Sequence, residues 1–124
     1  YIYSSHFLEH LFRSDAEKLL KDSYRVLKKG GTIRICVPDL NHAIGLYNSG
    51  SKHFMLEQYF FVNDQDSFFA MHKYMYDCEL LSALLQQAGF RDISQCRYQQ
   101  GAMPDLKELD NRPEDTIYLE AKKT

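Results

Sequence analysis

The sequence contains no basic tract, and no apolar run approaches the roughly 20 residues that a membrane-spanning helix needs. The first absence removes the electrostatic footprint of a nucleic-acid or anionic-lipid binder, and the formal net charge of -2 agrees with it. The second removes a spanning helix. There is no P-loop and no G-x-G-x-x-G, so neither familiar phosphate cradle is built. The Gly30-Gly31 pair is not one, because it precedes a strand instead of following it. Cysteine is sparse: its 3 copies, Cys36, Cys78 and Cys96, match no zinc ribbon or C-x-x-C spacing and suit a reducing, cytoplasmic setting. No signal peptide is expected from these residues. The first residues, YIYSSHFLEH, already read as the end of a strand, and no initiator methionine precedes them. The expectation is a domain whose start is missing.

What is present is enough for one modest core. A chain of 124 residues holds one domain at most, and 44% hydrophobic with 14% aromatic residues is a globular composition. Tyr1-Ile2-Tyr3 reads as a strand, Ser4-Ser5-His6 as the loop at its carboxyl end, and Phe7 to Leu11 as a short helical turn. The firmest helix runs from Asp15 to about Lys28. Ser14 is its expected N-cap, with Glu17 completing a capping box. Ala16, Leu19, Leu20, Ser23 and Leu27 fall on one face, and Gly30-Gly31 stops the helix. Thr32 to Val37 is a β-branched strand, with Arg34 expected to extend its stem over apolar surface. Pro38 ends that strand, and a loop is expected at Pro38-Asp39-Leu40.

Residues 41–76 form a long insert, expected to be a lid, a binding wall or an interface. Within it Asn48 to Ser51 is a turn, Phe54 to Phe61 a helix, Asn63 to Asp66 a break, and Phe68 to Tyr76 an aromatic, Met-rich segment. Asp77 caps a helix from Cys78 to Ala88 whose stripe is Leu80, Leu81, Leu84, Leu85 and Ala88. Phe90 to Tyr98 is a strand, Gln99 to Pro113 a long polar loop, and Thr116 to Ala121 a closing strand. The order β-α-β-insert-α-β-β predicts an α/β fold, mostly parallel, with a terminal antiparallel pair. Ligands of such sheets bind at the carboxyl ends of strands, which selects Ser4 to His10 and Pro38 to His42.

Several constellations fall in or near those segments. His6-Phe7-Leu8-Glu9-His10 fits the H-x-x-E-H pattern of inverted zinc peptidases, which needs both histidines on one helical face. This segment follows a strand directly and is expected to form only a turn. No metal is therefore expected, and Glu9 and His10 read as hydrogen-bonding groups at the mouth of the sheet. Asp39, His42, His72, Lys73 and Tyr74 are expected over the same edge, where a histidine titrating near neutrality can deprotonate an acceptor. Tyr59, Phe60, Phe61, Phe68 and Phe69 carry the residue types of a nucleic-acid stacking surface, but their acidic-to-neutral surroundings favour core or interface.

The segments YIYSSHFLEHL, LLKDSYRVLKKGGTIRICVPDL and YDCELLSALLQQAGF resemble the later half of class I S-adenosylmethionine-dependent methyltransferases, nearest to the small enzymes labelled type 11. The L-x-x-x-x-R-V-L-K-x-G-G run from Leu20 to Gly31 is the most specific part. The resemblance implies a partial Rossmann-like sheet corresponding to the family's strands four to seven. It places Ser5 and His6 near the methionine portion of S-adenosylmethionine, and matches Glu9-His10 to the short element after the fourth strand. Pro38 and Asp39 fall beside the transferred methyl, and His72, Lys73 and Tyr74 on the acceptor side. It thus implies His72, Asp39 and Tyr74 as catalytic candidates, with Ser5, His6, Glu9, His10 and Pro38 as cofactor-binding candidates.

The family's glycine-rich loop and its acidic residue after the second strand have no counterpart here. The expectation is the C-terminal part of a methyltransferase with a small-molecule acceptor, inactive by itself. The alternative is a non-catalytic module that dimerises through the aromatic insert or a sheet edge at Tyr1 to Tyr3 or Thr32 to Val37.

Overall fold

The computed structural model describes residues 1–60 and 70–124. The expected break at Asn63 to Asp66, and the aromatics Phe61, Phe68 and Phe69, lie outside the described residues. The elements are β1 (Ile2–Ser5), a 3-10 turn (Leu8–His10), α1 (Arg13–Val26), β2 (Thr32–Pro38), α2 (Leu40–Asn48), α3 (Lys52–Tyr59), α4 (Cys78–Ala88), β3 (Arg91–Cys96), α5 (Leu106–Leu109) and β4 (Thr116–Lys122). The strands form one sheet in the order β1-β2-β4-β3. β1 pairs parallel with β2, while β4 runs antiparallel to both β2 and β3. Three strands thus share a direction and the last inserts between the second and third, the expected mostly parallel sheet with its antiparallel end. β2 is interior, so Thr32 to Val37 is not an edge. The outer strands are β1 and β3.

Period-two alternation splits β2 and β4 between two environments. Ile33, Ile35 and Val37, with Ile117, Leu119 and Ala121, face the main core. Ala16 and Leu20 of α1 and Leu81, Leu84 and Leu85 of α4 close over them. Burying each such aliphatic side chain contributes about 1.5–3 kcal/mol. At α4 the Asp77 carboxylate accepts from the Leu80 N–H at 2.7 Å, and Gly89 takes a left-handed conformation at the other end. The start of α1 differs from expectation. Phe12, in an extended conformation, is its N-cap, and the Asp15 and Ala16 amides donate to the Phe12 carbonyl. Glu17 pairs with Arg13 one turn back at 3.2 Å, so the Ser14 box does not form. Gly30, at φ +81°, turns the chain so that its N–H donates to the Lys123 carbonyl beyond β4.

The opposite face carries the largest departure from the sequence expectation. Arg34 is fully buried, not extended to the surface. Its guanidinium bonds both Asp110 oxygens and donates to Glu120 Oε1 at 3.0 Å, and Glu120 is its cross-strand partner. It also donates to the Arg97 and Gln100 carbonyls and lies 4.9 Å from the Tyr118 ring centre. The carboxylates are satisfied in turn: Asp110 accepts from the Gln99 amide, and Glu120 from the Ala102 and Met103 amides. Burial alone would lower the Arg34 pKa, but its bonds and charge pairing with Asp110 and Glu120 outweigh that and raise it. A Cβ at Gly101 would strike Glu120 Oε1 and Arg34 Nη1, so glycine leaves the cluster its space. Residues 99–113, expected to be a polar loop, therefore form a lining for this face, with Met103, Leu106 and Asp110 buried.

The insert is partly helical. Asp39 caps α2 by accepting from the Asn41 N–H at 3.0 Å, where a loop was expected. α2 and α3 share a small core of Ala43, Met55, Tyr59 and Met75. Among the described residues no helix is long and apolar enough to cross a membrane.

Removing one member of a buried ion cluster strands the others, at a cost of about 3–5 kcal/mol. Asp110→Ala is expected to lose that much in urea denaturation. Arg25→Ala, which breaks only the exposed pair with Asp22, should change stability by less than about 0.5 kcal/mol. Equal, small effects of both variants would show that the cluster does not hold this face.

Candidate functional site

β1 and β2 run parallel, so their carboxyl ends open on the same side of the sheet. His6 follows β1 with φ +49°, an uncommon conformation for a residue with a side chain, and its N–H is held by the Cys36 carbonyl at 2.8 Å. The 3-10 turn then carries Glu9 and His10. The Glu9 carbonyl accepts from the amides of Lys73 and Tyr74, which stitches the end of the insert against the turn. That stitch brings His72 to the mouth of β1.

The result is a cleft of about 430 Å³. His6, Glu9, His10 and Pro38 line it from the sheet side, and His72 from the insert. α3 contributes Phe54, Gln58 and Tyr59, and the approach to β4 contributes Arg112, Glu114 and Asp115. Tyr118 fixes that approach by donating its hydroxyl hydrogen bond to the Arg112 carbonyl.

The polar inventory of the cleft is unbalanced. Glu9 is fully buried, and neither of its carboxyl oxygens has a hydrogen-bond partner. Its neighbours are imidazole nitrogens: His10 Nε2 at 3.6 Å and His6 Nδ1 at 3.7 Å from Oε1. Each imidazole has its other nitrogen engaged. His10 Nδ1 is 3.3 Å from the Met71 carbonyl, and His72 Nδ1 bonds the Tyr59 carbonyl. A carbonyl only accepts, so these nitrogens carry the protons and Nε2 is left as the lone pair. The Thr116 hydroxyl donates to the Glu114 carbonyl, so its oxygen accepts from His6 Nε2 at 3.0 Å, leaving the lone pair on Nδ1.

Burial pushes the Glu9 carboxyl up to about 7, against the opposing pull of its own nearby backbone N–H and of Arg112. Burial pushes His6 down to about 4, with Arg112, His72 and His10 adding to the shift. His72 is lowered by burial and by His10, while its bond to the Tyr59 carbonyl works the other way. Near neutrality His6 and Glu9 are therefore not an ion pair, although they are close enough to be one.

Of the residues expected at the site, His6, Glu9, His10, Pro38 and His72 share the cleft. Ser5 lies at the end of β1, paired with Cys36. Asp39 is engaged as the cap of α2. Tyr74 turns toward α1, where its hydroxyl accepts from Arg13 Nη1 at 3.0 Å. His42 pairs with Asp115 at 2.8 Å on an exposed rim. Arg112, Glu114 and Asp115 were not anticipated. Their only sequence signal is position just before the last strand, which becomes meaningful once β4 is known to lie beside β2.

No family model and no curated protein matches the sequence. Solved structures do. A SAM-dependent methyltransferase from Archaeoglobus fulgidus superposes with a TM-score of 0.59 at 20% identity, over 98% of this chain and 58% of that one. A SAM-dependent methyltransferase from Thermotoga maritima, described as a possible histamine N-methyltransferase, superposes with a TM-score of 0.51 at 20% identity, over 89% and 49%. The chain thus spans about half the length of the structures it matches. The chain shares its α/β fold with part of each of these two structures.

The shifts have opposite consequences for stability. Between about 4.5 and about 7 folded Glu9 holds a proton that the unfolded chain has released, so its contribution to stability falls as pH rises. Between about 4 and 6.5 folded His6 lacks a proton that the unfolded chain holds, so its contribution rises with pH. Glu9→Gln removes the first and keeps the second. In chelator-treated buffer this variant should gain on the parent protein, by up to about 3 kcal/mol, as pH goes from 4.5 to 7. A stability difference that stays flat with pH would mean Glu9 is ionised in the fold.

Proposed function

We propose that the chain is part of an S-adenosylmethionine-dependent methyltransferase and supplies one wall of the cofactor site and the acceptor side. The observation that carries this is the convergence of His6, Glu9, His10 and Pro38 on one cleft at the carboxyl ends of two parallel strands, in a fold shared with proteins described as SAM-dependent methyltransferases. The donor set suits the group. A sulfonium is cationic, and the cleft offers imidazole lone pairs and a carboxyl whose proton such a cation would displace. When bound, S-adenosylmethionine supplies a methyl group open to direct displacement by a nucleophile.

Ser5, His6 and Pro38 border the methionine portion, with Glu9 and His10 behind them. The protein's task is then alignment and exclusion of water. The described parts of the segment 41–76 serve as the cover, since Phe54, Gln58 and Tyr59 of α3 and His72 line the cleft. Where the acceptor must lose a proton, His72 is the base, because its Nε2 lone pair is free. Asp39 and Tyr74 act at one remove. Asp39 fixes the start of α2, and Tyr74 ties the end of the insert to Arg13. The acceptor is a small molecule that reaches the cleft between α3 and the residues before β4.

Calorimetric titration of the protein with S-adenosylmethionine tests this. One-to-one binding is expected, weakened at least about tenfold (~1.4 kcal/mol) in His6→Ala. Absence of binding by folded protein would mean that this wall does not hold the cofactor by itself, and binding indifferent to His6→Ala would move the cofactor out of this cleft.

A further inference from the structure

The cleft sets a buried carboxyl against imidazole lone pairs, and once that carboxyl gives up its proton the arrangement asks for a positive charge between them. One ligand atom each from Glu9, His10 and His72 lies within 4.8 Å of the other two. The His10 and His72 rings stand edge to face, with centroids 4.9 Å apart. Glu9 comes with both oxygens unpartnered and no exposed surface. A buried carboxyl without a donor is destabilising, and the fold places this one beside two imidazole nitrogens instead of beside an N–H.

The surroundings of the two histidines point the same way. Metal-bound histidines almost always donate their second ring nitrogen to a carbonyl or carboxylate, which fixes tautomer and ring orientation. Here His10 does so to Met71 and His72 to Tyr59. Two ligands each about 2.0–2.2 Å from one zinc ion stand about 3.4 Å apart in a tetrahedron. The Glu9 to His10 separation of 3.6 Å is close to that.

We propose that Glu9, His10 and His72 bind one divalent transition-metal ion of the zinc class, with its remaining position open to the cleft. Two histidines and one carboxylate with an open position are the donor set of catalytic, not closed structural, sites. The H-x-x-E-H spacing by itself would pair His6 with His10. The fold instead completes Glu9 and His10 with His72, and leaves His6 Nδ1 as a neighbour 3.7 Å from Glu9. The inference does not rest on methyl transfer. With the ion in place, the His72 lone pair is a ligand and no longer a base.

The test is titration of chelator-treated protein with cobalt(II), read by its visible ligand-field absorption, and with zinc(II), read by calorimetry, both without S-adenosylmethionine. One equivalent is expected to bind. Glu9→Gln and His72→Ala should each weaken binding at least about tenfold, while His53→Ala, on the exposed side of α3, leaves it unchanged. Proton NMR of the unmodified cobalt-loaded protein should show the His10 and His72 ring protons strongly shifted, which makes the result independent of how the variants fold. Failure to bind one equivalent, binding indifferent to both substitutions, or unshifted ring protons would overturn the proposal. Because no cofactor is present, its failure is separate from failure of the calorimetric titration with S-adenosylmethionine.

Discussion

The buried guanidinium of Arg34 is the constraint on which the rest of this structure depends. An uncompensated charge inside a protein costs several kcal/mol, so Arg34 forces every group around it into register. Glu120 must stand opposite it, which fixes β4 against β2. Asp110 must reach it from below, which folds residues 97–110 back across the sheet. Gly101 must lack a side chain. The cluster adds little net energy compared with the apolar core on the other face. What it contributes is selection, because a slip of β2 by one residue would turn the charge into the aliphatic layer.

That selection reaches the cleft. The chain leaving Asp110 runs directly through Arg112, Glu114 and Asp115 into β4, so the same ion cluster that sets strand register also sets the far wall of the site. The near wall depends on hydrogen bonds of the opposite character. There the Glu9 carbonyl is doubly satisfied by Lys73 and Tyr74 while its carboxyl is left without a donor. Backbone satisfaction holds the element, and side-chain deprivation shapes its chemistry. The left-handed backbone at His6 adds to this. Conformational cost at a strand end that lines a cleft is a familiar mark of a working site.

Elements that are stable for local reasons were legible in the sequence. The Asp77 cap, the buried Leu81, Leu84 and Leu85 of α4 and the closing Gly89 describe one helix, although Leu80 of the expected stripe is exposed, and Thr32 to Val37 could be little other than a strand. α2 was missed because its start depends on Pro38 ending a strand and Asp39 capping in the same step, a junction that composition reads as a loop. Residues 99–113 were misread because their glycine, prolines and charges are the vocabulary of solvent. Asp110 is buried only because a cation waits for it. The start of α1 was displaced for a related reason: Glu17 has a better partner in Arg13 than in a box at Ser14.

The sequence by itself determined the class of the fold, the positions of the main helices and strands, and the ends of β1 and β2 that line the cleft. Those follow from periodicity and turn chemistry, which act over a few residues. Only the tertiary structure decided that β4 inserts between β2 and β3, that Arg34 is a core residue, and that His72 joins Glu9 and His10. These are contacts between residues far apart in the chain. They are chosen by which charges and lone pairs must be satisfied once the sheet closes, and no local pattern records that choice.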